Sequence, residues 1–146
     1  MFEICDFYEY CKNQNVDVIP FDGCPQPGAT IRDGCDYAVF LDFTKIRSTR
    51  LLRGVCLHEF GHIATGALHK VDSPFELAER SEHRANRWAA EAFLTEELFR
   101  EAFEAGCREL WELAEYFDLP EKCVADALTY WTVNKGVAFT KQTGVL

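Results

Sequence analysis

The chain has no basic excess, no long apolar run and no paired-cysteine spacing, and each absence excludes a class of function. It carries 15 Lys and Arg against 24 Asp and Glu over 146 residues, a net charge of −9. A field of that sign repels a phosphate backbone, so direct nucleic-acid binding is not expected. Docking on anionic membranes is disfavoured on the same ground. No stretch approaches the roughly 20 apolar residues of a bilayer span. The opening Met1-Phe2-Glu3-Ile4-Cys5-Asp6 is acidic and lacks a basic n-region, so no signal peptide is read there. The 7 cysteines (Cys5, Cys11, Cys24, Cys35, Cys56, Cys107 and Cys123) are odd in number, and no two stand in Cys-x-x-Cys spacing. That argues against a disulfide framework or a cysteine-rich zinc site, and for reduced, mostly buried thiols in a cytoplasmic protein.

There is also no internal repeat, low-complexity run or Gly/Ser linker. Residues 1–146 are therefore read as one domain, large enough to bury a core without covalent staples. Hydrophobic residues make up 48% and charged residues 27% of it, as in an ordinary globular chain.

The first dozen residues predict a short helix. Val16 to Phe21 reads as a strand closed by Asp22-Gly23, and Pro25, Pro27 and Gly28 mark a loop. Ala29 to Arg32 and Tyr37 to Leu41 read as strands around an Asp33-Gly34 turn, which makes a small, mostly antiparallel sheet. From Ser48 the period becomes helical through Leu51, Leu52, Val55, Cys56, Leu57, Phe60 and Ile63, with an end near Gly66. Ser73 as N-cap, Pro74 and Glu76 open a second helix that runs to about Leu94. Thr95-Glu96-Glu97 opens a third, stopped by Gly106. Two more follow near 108–117 and 120–132, a C-terminal helical subregion at about 107–132. Residues from Gly136 read as a strand or a loose tail. The fold class is α+β.

His58-Glu59-Phe60-Gly61-His62 is an H-E-x-x-H pattern inside the first long helix. Residues four apart differ by about 40° around a helix axis, so both imidazoles can reach one zinc ion (Zn²⁺). Glu59, about 100° away from His58, can reach a water at that metal as general base. Leu51 and Val55 share the histidine face, which is therefore expected to point inward. Gly54 and Gly61 flank it. Each costs about 1 kcal/mol in a helix interior, so a close approach of another backbone or of substrate should offset the loss.

A catalytic zinc takes three protein ligands and an open position. The downstream candidates are His69, Asp72, Glu76, Glu79, Glu82, His83 and Glu91. On the second helix Ala78, Ala85, Ala89, Phe93, Trp88 and Ala92 form one stripe, and Glu82 falls within it. A carboxylate on a face that is to be buried needs a partner, which favours Glu82 as the third ligand. Glu79 and His83 stay open as alternatives, as does a buried ion pair of Glu82 with Arg50 or Arg53. Asn86, one turn after Glu82, is placed to hydrogen-bond it. The oxyanion-stabilising group stays open among Tyr37, His69 and the arginines.

Leu57-His58-Glu59-Phe60-Gly61-His62, followed by Glu82-His83-Arg84-Ala85-Asn86-Arg87-Trp88-Ala89-Ala90-Glu91, resembles the ImmA/IrrE family of metallopeptidases. The resemblance covers about residues 16–94, with a weaker likeness at Glu112 to Pro120. It implies a zincin-like fold with the H-E-x-x-H helix at its centre, and His58, His62 and Glu82 as zinc ligands. It also implies a protein substrate, a helix-turn-helix repressor of a prophage or mobile element. Many members open with a DNA-binding helix-turn-helix, for which these residues leave no room. The family's Leu-Met-Pro after the Ala-Ala helix is Phe93-Leu94-Thr95 here.

Residues 107–131 have a helix-turn-helix outline but carry Arg108 and Lys122 against six acidic residues, the wrong sign for DNA. Their apolar positions and the aromatics Trp111, Tyr116, Tyr130 and Trp131 read as core, or as a partner surface. The leading expectation is a zinc endopeptidase. The alternatives are a non-catalytic zinc-containing binding module and a toxin–antitoxin component. Oligomeric state is not legible.

Overall fold

The computed structural model describes residues 1–68 and 75–139, leaving aside the side chains of 33 and 75–77. The expected Ser73 cap, Pro74, the side chain of Glu76, and His69 and Asp72 lie outside the described residues. The elements run α1 (Ile4–Asn13), β1 (Asp17–Pro20), β2 (Gly28–Asp33), β3 (Asp36–Leu41), α2 (Thr49–Thr65), α3 (Phe75–Phe93), α4 (Glu96–Glu104), α5 (Leu110–Phe117) and α6 (Glu121–Thr129), then a π-helical turn over Tyr130–Asn134. A small sheet beside a mainly helical body is an α+β fold. Among the described residues no helix is long and apolar enough to cross a membrane.

The sheet corrects one expectation. Its order is β1-β3-β2: β2 and β3 form the antiparallel hairpin, but β1 lies parallel to β3, with Val18 opposite Val39. The sheet is mixed rather than antiparallel, and Asp42 supplies the reason. Its carboxylate accepts hydrogen bonds from the backbone N–H of Gly23 (3.0 Å), Cys24 (3.1 Å) and Thr44 (2.9 Å), from the Thr44 hydroxyl, and from Lys45 Nζ (2.9 Å). The Asp42 N–H donates to the Pro27 carbonyl at 2.8 Å. The segment after β1 is thus tied to the end of β3 and carried past it, so β2 starts on the far side. Local alternation specifies strands, whereas which strand is central depends on long-range contacts such as this tie.

Helix boundaries follow local chemistry. Ser48 caps α2, its Oγ accepting from Leu51 N–H at 3.0 Å, and Gly66 ends it in the left-handed region at φ 66°. Thr95 caps α4 in the same way at 3.3 Å. One hydrophobic cluster joins Phe7 and Cys11 of α1, Val39 and Leu41 of β3, Cys56, Leu57 and Phe60 of α2, Leu94 just after α3, and Phe99, Phe103, Leu113, Phe117 and Val124 of the later helices. Residues 136–139 form no strand, yet Phe139 is buried among Phe99 and Phe103. Trp111 and Leu110, expected in the core, are exposed; Tyr130 is buried, and Trp131 donates from Nε1 to the Leu94 carbonyl at 2.7 Å.

All seven cysteines are unpaired. Burial pushes the thiol of Cys11 up to about 11 and that of Cys56 up to about 12, which leaves both as weakly reactive core groups.

Helices α2 and α3 pack backbone to backbone. A Cβ on Gly61 would lie 2.7 Å from the Ala85 carbonyl oxygen, and one on Gly54 would lie 2.5 Å from the Pro120 ring. The two helical glycines therefore do admit a close approach, of α3 at one site and of the residue preceding α6 at the other. The buried Arg53 ties residues 2–3 to the end of α5. Its guanidinium donates to Glu3 Oε2 (3.1 Å) and to the carbonyls of Asp118 (2.7 Å), Phe2 and Phe117. Arg50 pairs with Asp118 at 3.3 Å. The ion pairs of both arginines thus run to Asp118 and Glu3 rather than to Glu82.

Candidate metal centre

Helix α2 presents His58 and His62 one turn apart, and α3 brings Glu82 to them across the Gly61–Ala85 contact. The Nε2 atoms of His58 and His62 are 3.1 Å apart. Glu82 lies 3.0 Å from His58 Nε2 through Oε2 and 3.1 Å from His62 Nε2 through Oε1. A tetrahedral zinc with bonds of roughly 2.0–2.1 Å needs donors about 3.3 Å apart. The observed triangle is within a few tenths of an ångström of that. Two imidazole nitrogens and one carboxylate, with ligand atoms within 4.8 Å of one another, make a donor set that could hold a metal ion.

Supporting contacts orient the donors. His62 Nδ1 lies 2.6 Å from the Ala67 carbonyl, just past the end of α2. That carbonyl accepts the Nδ1 proton and leaves Nε2 as the metal-facing atom. Ser81 on α3 donates its hydroxyl to the same carbonyl, so one backbone oxygen ties both ligand-bearing helices. Burial disfavours protonated His62, but hydrogen bonds to Glu82 and Ala67 and the charges of Glu59 and Glu82 outweigh it, so its pKa is raised. Burial likewise opposes ionisation of Glu82, yet the two histidines hold its carboxyl well below the usual range. Each partner stabilises the other's charge, which is the interaction a cation between the same atoms would replace.

Glu59 is buried beside this triangle, and Thr30 Oγ1 of β2 donates to its Oε1 at 2.9 Å. Gly28, at the start of β2, lies directly over α2: a Cβ there would meet Val55 Cγ1 at 2.5 Å and Glu59 Cγ at 3.3 Å. The strand is thereby seated on the helix at the level of Glu59.

The histidine face departs from expectation. Leu51, Val55 and His58 are only half-buried, because this face lines a cleft of about 680 Å³ and not a packed interface. Glu82 is also less enclosed than its stripe implies, with 39% of its side chain exposed into the same cleft. The buried line of α3 runs instead through Ser81, Ala85 and Ala90. Asn86 lines the cleft beside Glu82, but no hydrogen bond joins the two among the described residues. Glu79 and His83 are exposed and stand apart from the cluster, and Glu91 is engaged by Tyr130 and Arg87. Tyr37 sits against Gly66 at the end of α2 and does not line the cleft.

Sequence reasoning missed Thr30, Gly28, and the Ala67 carbonyl with Ser81. A threonine in an edge strand and a backbone oxygen after a helix carry no pattern of their own. It also missed that Pro120, with Cys123 and Ala127 of α6, lines the same cleft as His58 and Glu82.

Residues 50–129 match the family model Peptidase_M78, described as an IrrE N-terminal-like domain. Comparison with curated proteins and with solved structures finds no significant match.

Proposed function

The chain belongs to the Peptidase_M78 (IrrE N-terminal-like) family, and on that footing we propose that it is a zinc-dependent endopeptidase acting on a helix-turn-helix transcription regulator. The observation that carries the reading is the His58–His62–Glu82 triangle with Glu59 beside it, open to a cleft. A structural zinc site closes its shell with a fourth protein donor and has no use for an adjacent base.

His58, His62 and Glu82 would hold the ion. When bound, zinc supplies Lewis acidity toward a carbonyl and acidifies water near it. The protein residues do the rest. Glu59, kept in place by Thr30, accepts a proton from the attacking water and returns it to the leaving amine nitrogen. The His62–Ala67 hydrogen bond keeps that imidazole's Nε2 directed at the site throughout. The cleft admits an extended segment alongside α2.

The substrate class is supported by the family resemblance and by charge. A chain of net charge −9 repels DNA but complements the basic surface of a DNA-binding protein. The decisive experiment incubates the zinc-loaded protein with a purified helix-turn-helix repressor as candidate substrate. Wild type is expected to cut the regulator at a defined bond. Glu59→Gln is expected to keep about one zinc per chain while cleavage falls roughly 10²–10⁴-fold, the usual worth of a general base. Equal cleavage by the two proteins would remove Glu59 from the mechanism. A tight, uncut complex would replace proteolysis with regulation by binding.

A further inference from the structure

The cleft extends well beyond the metal triangle. From His58 and Glu82 it runs along α2 and α3 toward the start of α6, and Leu51, Val55, Ala89, Pro120, Cys123 and Ala127 give it an apolar wall. That wall carries no charge of its own, in a chain of net charge −9. Lys122 and Asp126, paired with each other at 2.9 Å, also line the cleft, so neither contributes an unopposed charge to it. A volume of about 680 Å³ is large for a single side chain and falls within the range of sites that hold small ligands or short peptide segments.

Asn86 gives this space a polar element. It lies on α3 one turn past Glu82, lines the cleft, and makes no hydrogen bond among the described residues. A carboxamide has one acceptor and two donors, which match the N–H and C=O of a peptide group. Half-exposed in the open cleft, the carboxamide is available to solvent, and the peptide group of a ligand can replace water on it.

We propose that this recess binds the substrate's large apolar side chain next to the cleaved bond, with Asn86 hydrogen-bonding the adjoining peptide group. The proposal rests on the endopeptidase reading and adds to it a sequence preference and a substrate-binding residue. The occupant is a polypeptide because the recess is continuous with the metal triangle, so whatever fills it also passes Glu59. Asn86 is accordingly a substrate-binding residue and not a support for Glu82.

Binding to the full zinc-loaded chain tests this without turnover. Three probes are compared by titration calorimetry: acetohydroxamate, which meets only the metal, and hydroxamate-capped dipeptides bearing either a leucine or an aspartate side chain. Wild type is expected to bind the leucine probe at least about tenfold tighter than the aspartate probe. Asn86→Ala is expected to keep its zinc and its acetohydroxamate affinity but to lose about tenfold for the leucine probe, the worth of one or two unmade hydrogen bonds. Ala89→Phe narrows the recess from a half-buried helical position and is expected to weaken the leucine probe alone. Equal affinities for the two dipeptides, or leucine-probe affinity unchanged in both variants, would overturn the proposal while leaving the metal site standing. Loss of zinc from Asn86→Ala would also overturn it and make Asn86 a support for Glu82. If wild type takes up no zinc and binds no hydroxamate, the endopeptidase reading fails first, and the proposal with it.

Discussion

Gly61 sits between the two histidines with no side chain, at a cost of about 1 kcal/mol to the helix that holds it. What offsets the cost is the Ala85 carbonyl, which a Cβ would meet at 2.7 Å. The neighbour is backbone, so it yields only by moving α3 away from α2. Gly61→Ala is therefore expected to destabilise the fold by roughly 1–3 kcal/mol, the usual cost of overpacking. It should also weaken zinc binding, since any outward shift of α3 carries Glu82 with it. Urea denaturation and zinc titration of the variant check both effects. A stable variant with weakened zinc would separate the geometric role from the packing role; full stability with normal zinc would refute the account. Glu82 makes a related point. Its place in an apolar stripe singled it out as the candidate third ligand, although the stripe is not fully buried there and the carboxylate faces a cleft.

At the scale of elements, α2 was legible end to end. A serine that accepts Leu51 N–H and a glycine at φ 66° are local signals, read by the few residues next to them. The order of strands was not legible, because it depends on long-range contacts, among them Asp42 bonding to residues 18 and 19 positions earlier. The hydrogen bonds from Thr44 and Lys45 hold the Asp42 carboxyl well below its usual range. A depressed folded-state pKa contributes stability that is present above the unfolded value, about 3.9. The contribution is lost as pH falls through the folded value. Asp42→Asn is thus expected to lower the urea midpoint at pH 7, and the gap from wild type should narrow below about pH 4. Denaturation curves at pH 7 and pH 3 measure it. A gap that is the same at both would mean that the carboxylate's charge is not what anchors the β1–β2 connection.

At the scale of the whole molecule, the site is assembled from parts that meet only in the folded state. The candidate ligands come from α2 and α3, the hydroxyl that holds Glu59 from β2, and part of the cleft wall from Pro120 and α6. A metal bound by His58, His62 and Glu82 joins two helices that the unfolded chain leaves apart, so it favours the folded state by mass action. Zinc at about a hundredfold above its dissociation constant should add roughly 2.7 kcal/mol of stability and raise the melting midpoint by several degrees. A chelator should reverse the gain, and Glu82→Ala should abolish most of it. A melting curve indifferent to zinc, measured by calorimetry on wild type, would count against a metal bridging α2 and α3.

The sequence by itself determined what depends on neighbours along the chain. The spacing of His58 and His62, the ends of α2, the amphipathic α3 that carries Glu82, and the acidic charge all follow from a fixed helical period and from composition. Tertiary structure decided what depends on residues far apart. It set the parallel pairing of β1 with β3, the Thr30 hydroxyl on Glu59 and the Ala67 carbonyl shared by His62 and Ser81. It also made the histidine face an open cleft where a packed interface was expected. Such contacts form only after chain segments tens of residues apart have come together, and no periodicity or cap signal in either segment encodes its partner.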